Sequence, residues 1–201
     1  MSNIISTQDM IFAQQDTHWS QDRAYRYFLR RSWQQQCEQG FVNAARQQDL
    51  FEADKPAQAP HELRKRAPIA FILLNPSTAD ERKDDPTVAR CRRFAVAWGF
   101  GEVIILNAFA FRATDPKDMK ACPQPVGEEN DAVILKTLTA IQACGGQVVC
   151  GWGNHGKFLE RGQAVRTLLR DQSGVMGFPK TKLGEPSHPL YLPKSVALSP
   201  L

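Results

Sequence analysis

The chain has 201 residues, 42% hydrophobic and 23% charged, with a formal net charge of +4; that is enough for one sizeable core and too little for two ordinary domains. This balance excludes wholesale disorder and a fibrous repeat. No stretch approaches the roughly 20 apolar residues of a membrane span, and the polar start lacks a basic region followed by an apolar one, so a cytoplasmic protein is expected.

Residues 1–24 read as an N-terminal extension, and residues 25–201 as a single α/β domain. Residues 25–33 (YRYFLRRSW) alternate apolar groups with arginines, the period of a half-exposed strand at a sheet edge that pairs antiparallel. Residues 34–66 are polar and glutamine-rich, with Pro56 and Pro60, and read as an insertion made of a short helix and a loop. The pattern then becomes strand, loop, helix. Continuous apolar runs at residues 69–74, 103–106 and 147–151, with a weaker one at 175–178, suit strands covered on both faces.

Helices are expected between these runs. Asp85 is placed to cap a helix over residues 86–98, with Pro86 at its first position. Asp115 is placed to cap a short helix begun by Pro116, a second long helix covers about 127–143, and a third about 157–170. Glu128 and Glu129 near the start of the second long helix suit its dipole. Strands alternating with helices predict a three-layer α/β/α sandwich around a mostly parallel sheet with an added N-terminal strand. Ligands in such sheets bind beyond the carboxyl ends of the strands.

That edge collects the candidate chemistry. Asn75-Pro76-Ser77-Thr78 follows the first run, Asn107 the second and Trp152-Gly153 the third. An asparagine amide both donates and accepts, so it can read a nucleobase edge or hold a water; an Asn-Pro pair taken alone reads as a plain turn. His188, fixed between Ser187 and Pro189, is either an exposed loop residue or a preorganised donor. Arg112, just past a strand end, suits a phosphate or a carboxylate. The basic residues Arg90, Arg92 and Arg93, with Lys180 and Lys182 and the run Arg64-Lys65-Arg66, suit nucleic-acid phosphates or a solvated surface. Asp80, Glu81, Asp84 and Asp85 match no familiar metal spacing and read as a solvated loop, so neither metal nor cofactor is expected. Walker, HExxH and GxSxG motifs do not occur. The five cysteines, Cys37, Cys91, Cys122, Cys144 and Cys150, form no CxxC pair and read as reduced structural thiols.

The segments YRYFLRRSW, FILLNPSTADERKDDPTVARC, ILNAFAFRATDPKDM, VGEEND, WGNHG and EPSHPLYL, in that order over residues 25–192, resemble the domain-of-unknown-function 1643 family. That name carries no activity. More distantly, the order of strand-end motifs is similar to the uracil-DNA glycosylase superfamily, α/β/α sandwiches that hydrolyse the bond between base and sugar. The resemblance implies that Asn75, in Leu73-Leu74-Asn75-Pro76, positions the attacking water, that Asn107 reads the flipped base, and that His188 steadies the anionic leaving base. Pro76, Ser77, Thr78, Trp152, Gly153 and Tyr191 would line the base site. The first motif lacks an aspartate water activator and an aromatic platform, and Leu190-Tyr191 stands where those enzymes carry serine and proline.

The expected function is therefore a nucleobase- or nucleotide-binding enzyme of glycosidase type, acting on DNA, RNA or a free nucleoside. Two alternatives stand beside it. One is a non-catalytic nucleotide or nucleic-acid recognition module of phage or mobile-element biology. The other is a metal-dependent phosphodiesterase using Asp80, Asp84, Asp85 and Asp115.

Overall fold

A computed structural model describes residues 16–33 and 67–201. The expected helix and loop of residues 34–66, Cys37, the run Arg64-Lys65-Arg66 and most of the expected N-terminal extension lie outside the described residues. The apolar runs form strands β3 (Pro68–Leu73), β4 (Glu102–Asn107), β5 (Gln147–Cys150) and β6 (Val175–Gly177). β1 (Thr17–Trp19) and β2 (Arg26–Ser32) precede them, and β7 (Ser199–Pro200) closes the chain. Together they make one sheet in the order β1-β2-β4-β3-β5-β6-β7.

The sheet is mixed rather than mostly parallel. β4, β3, β5 and β6 run parallel, whereas β1–β2, β2–β4 and β6–β7 are antiparallel. The edges of the sheet differ from the expectation. β2 pairs antiparallel as anticipated, but β1 covers its outer side, so it is internal, and Arg26, Tyr27, Phe28 and Leu29 are all buried. β7 is two residues long and contains a proline, which gives no sequence signal of a strand.

Helices α1 (Pro86–Ala97), α2 (Pro116–Ala121), α3 (Asn130–Ala143) and α4 (Arg161–Leu168) fill the connections. Asp85 caps α1 by accepting from Val88 N at 2.8 Å, and Asp115 caps α2 by accepting from Lys117 N at 2.8 Å, each covering a donor that the first helical turn leaves without a partner. The expected helix at 157–170 is two elements. A 3-10 turn (Asn154–Glu160) meets α4 at Leu159 and Glu160, whose φ angles of 53° and 52° break the helix.

Side-chain alternation divides the interior. Ala70, Ile72, Ile104 and Leu106 pack with Val133, Ile134, Leu138 and Ile141 of α3 and Val165 of α4. Ile69, Phe71, Val103 and Ile105 pack with Val88, Cys91, Phe94 and Ala95 of α1. Cys91, Cys122, Cys144 and Cys150 are free thiols, and burial pushes those of Cys91 and Cys150 up, so both stay protonated at neutral pH. Among the described residues no helix is long and apolar enough to cross a membrane.

Candidate functional site at the carboxyl edge

The parallel register sets Leu73 level with Asn107 and Ile72 level with Cys150, so Asn75, Asn107 and Gly151 to Gly153 leave the sheet at one edge. Asn75 sits in the turn after β3. Its Nδ2 donates to Pro76 O at 2.9 Å and to Ala113 O at 2.8 Å. Both amide protons are thus held by carbonyls of the chain, and the oxygen Oδ1 is left as its acceptor.

Asn107 ends β4 and is 1% exposed, with neither Nδ2 nor Oδ1 bonded to a described residue. By strand alternation it follows Val103 and Ile105, the residues facing α1. Its backbone is treated differently: Asn130 Nδ2 donates to Asn107 O at 2.9 Å and to Ala108 O at 3.1 Å, and Arg161 Nε also donates to Ala108 O at 2.6 Å.

His188 stands beside the end of β5. Gly153 N donates to Pro186 O at 2.7 Å, and a Cβ on Gly153 would lie 3.4 Å from the His188 Cβ. Gly153 also has φ of +68°, which favours glycine. The other side of this loop is tied to α1 by a hydrogen bond from Arg90 to Leu192 O. Burial pulls the His188 pKa down to about 4, against the opposing charge of Asp85 and with help from His155. The ring is therefore neutral at pH 7. Its Nδ1 accepts from Leu190 N at 3.4 Å, which assigns the proton to Nε2.

Trp152 departs from this group. Its side chain belongs to the core on the α3 and α4 side, is 1% exposed, and donates from Nε1 to Glu185 at 2.7 Å. Gly156 makes room for it, since a Cβ there would come within 2.1 Å of the indole. Tyr191, by contrast, is 84% exposed, with its ring 6.2 Å from that of His188.

The turn after β3 is held from below by two arginines. Arg112 Nε donates to Ser77 O and Arg26 Nη1 to Ala79 O, each at 2.9 Å. Pro76 is buried, Ser77 partly buried and Thr78 exposed. Arg92 pairs with Asp84, while Arg93, Lys180 and Lys182 are exposed.

The acidic residues are committed separately. Asp80 accepts from Arg82 N and Lys83 N, Asp84 pairs with Arg31 and Arg92, and Asp85 and Asp115 are caps. Among the described residues no three candidate metal ligands gather. A cavity of about 490 Å³ opens between the segment before β2 and the loop leading to α3, lined by Ser20, Asp22, Tyr25, Tyr27, Gln124 and Glu128 among others; none of the strand-end candidates lines it.

Sequence reasoning missed Arg26, Asn130 and His155. Arg26 sat in an apparently exposed alternation, and Asn130 looked like the opening of a helix. His155 lies close enough to His188 to act on its charge, and burial lowers its own pKa; its place in WGNHG was the available signal.

A family model described as "Protein of unknown function (DUF1643)" matches residues 60–190. No curated protein and no solved structure matches the chain.

Proposed function

The chain belongs to the DUF1643 family, whose description assigns no activity, and we propose that it is a nucleobase-binding enzyme of glycosidase type. One observation carries the proposal: Asn107 buries a complete side-chain amide that meets no partner among the described residues. Each such orphaned group costs about 1–3 kcal/mol, and the edge of a base, with a donor beside an acceptor, would satisfy both at once.

The neighbouring groups support the same chemistry. Asn75, its amide protons held by Pro76 O and Ala113 O, offers Oδ1 to orient an attacking water. Neutral His188, with the proton on Nε2, is a donor for the oxygen of a base that gains negative charge as it leaves. Tyr191 lies at the open rim, and Arg93, Lys180 and Lys182 offer charge for phosphates. Trp152, buried in the core with its indole nitrogen bonded to Glu185, supports this edge as scaffold and does not contact the ligand. The order β4-β3-β5-β6 of the parallel strands, with helices packed on both faces, supports reading the fold as a three-layer α/β/α sandwich of the uracil-DNA glycosylase kind. A base flipped from its strand would enter at the edge.

The test is base release from oligonucleotides carrying varied lesions and from nucleoside mixtures. The expected result is release from at least one substrate, slowed about 10²–10³-fold in His188→Ala, the loss typical of one preorganised donor. Binding without release would identify a recognition module, and neither binding nor release would end the proposal.

A further inference from the structure

Arg26, Arg31 and Arg112 each donate to a backbone carbonyl of the loop that follows β3, and of these three only Arg31 forms an ion pair among the described residues. Arg31 pairs with Asp84 at 2.8 Å. Arg26 is 1% exposed, bonds Ala79 O through Nη1, and leaves Nε buried with no partner among the described residues. Arg112 bonds Ser77 O through Nε, and neither it nor Arg26 forms an ion pair among the described residues. The carbonyls that accept from these two arginines are two residues apart in one loop, and both guanidinium groups lie by the same Trp19 indole, 5.9 Å and 5.3 Å from its centre.

A β-bulge delivers Arg26 to this place. Thr17 and His18 pair with Leu29 and Phe28, but Trp19 pairs with Arg26, so Tyr27 is skipped. Tyr27 and Phe28 then both enter the α3-side core, and the next side chain is re-aimed, as bulges near functional sites commonly do. Burial lowers the Arg26 pKa to about 10, with Asp85 opposing and Arg31 and Arg112 reinforcing the shift. The group is still cationic at neutral pH. A buried charge is ordinarily paired. Ser77 and Thr78, whose hydroxyls have no bond among the described residues, belong to the same loop, and two guanidinium groups match the oxygens of a phosphate.

We infer that Arg26 and Arg112 form an anion site that takes a phosphate group at the carboxyl edge. Resting on the nucleobase reading, this makes the ligand a nucleotide, with its base toward Asn107 and its phosphate toward the Ser77–Ala79 loop.

Calorimetric titration of the full chain with inorganic phosphate, nucleoside 5′-monophosphates, the matching nucleosides and short single-stranded oligonucleotides tests this. At least one monophosphate or oligonucleotide is expected to bind about tenfold or more tightly than its nucleoside, the worth of one charge-assisted contact. Arg26→Lys and Arg112→Gln should each remove that advantage. Arg112 is partly exposed, so its variant decides the question if Arg26→Lys fails to fold. The relative affinities of monophosphates and oligonucleotides identify which source supplies the phosphate. Equal binding of nucleoside and nucleotide, lost in Asn107→Asp, would overturn the anion site and leave the nucleobase reading standing. Phosphate binding that depends on Arg112, with no selectivity among bases and no effect of Asn107→Asp, would uphold the anion site and overturn the nucleobase reading. No binding of phosphate, monophosphate or oligonucleotide would overturn the inference.

Discussion

At the end of β4 the two sides of the sheet are provisioned in opposite ways. Toward α3, the carbonyls of Asn107 and Ala108 receive three donors from Asn130 and Arg161. Toward α1, the Asn107 amide receives nothing from the described residues, and Arg26 buries a guanidinium that forms no direct ion pair among them, with Asp85 as a neighbouring charge. A chain that places buried donors on two successive carbonyls is not short of polar groups to spend. Single atoms on the α3 side, Asn130 Oδ1 and Thr137 Oγ1, also lack a partner among the described residues, but only at Asn107 are the donor and the acceptor of one amide both open, and that is where a ligand is expected. Trp152 sharpens the contrast: it leaves the same edge one parallel strand beyond β3, yet Glu185, Arg166 and the gap at Gly156 complete its surroundings.

If that division is right, substitutions on the two sides separate stability from binding. Trp152→Ala should cost about 3–5 kcal/mol through the cavity it leaves, measured by denaturant unfolding, with little change in ligand affinity of the folded fraction. An affinity loss far beyond the stability loss would return Trp152 to the binding site. Asn130→Ala uncovers the Asn107 carbonyl and leaves Ala108 O with Arg161 alone, and should cost about 1–3 kcal/mol; a neutral result would show that these bonds are not needed to hold the end of β4.

His188 gives a smaller effect with a defined sign. Its folded pKa of about 4 lies below its ordinary value of 6.5, so the unfolded chain binds the extra proton first as pH falls. The neutral ring's contribution is complete above pH 6.5 and is lost on the way down to pH 4, a change of about 1–2 kcal/mol after allowance for partial exposure. Because carboxylates also titrate there, the measurement is the difference in unfolding midpoint between the wild type and His188→Gln. That difference should shift in favour of the variant across the window, and parallel curves would contradict the buried neutral imidazole.

The strands of the parallel core were legible because Ile69 to Leu74 and Val103 to Leu106 are apolar without interruption, a pattern that burial on both faces demands. Capping chemistry exposed the starts of α1 and α2 at Asp85 and Asp115. The edges were not legible: Thr17–Trp19 and Ser199–Pro200 are too short for periodicity, and their pairing is set by tertiary contact. Within the site, Asn75, Asn107 and His188 stood out as polar groups at strand and loop ends, but the direction of a side chain did not. Trp152 took the opposite face because Gly156, one turn on, makes room for it there and Glu185, distant in the sequence, accepts from its indole nitrogen. Arg26 was hidden because the bulge at Tyr27 breaks the alternation from which its exposure was read.

The account turns on whether the Asn107 amide is held ready for a ligand or already satisfied in the free protein. Thermal unfolding of ligand-free Asn107→Leu measures this directly, since leucine has a similar shape and removes two polar atoms for which no described residue provides a partner. The prediction is a rise in midpoint of about 2–4 °C, corresponding to roughly 1 kcal/mol gained. A fall in midpoint would mean that the amide is already bonded in the free protein, and its burial would then be structural rather than functional.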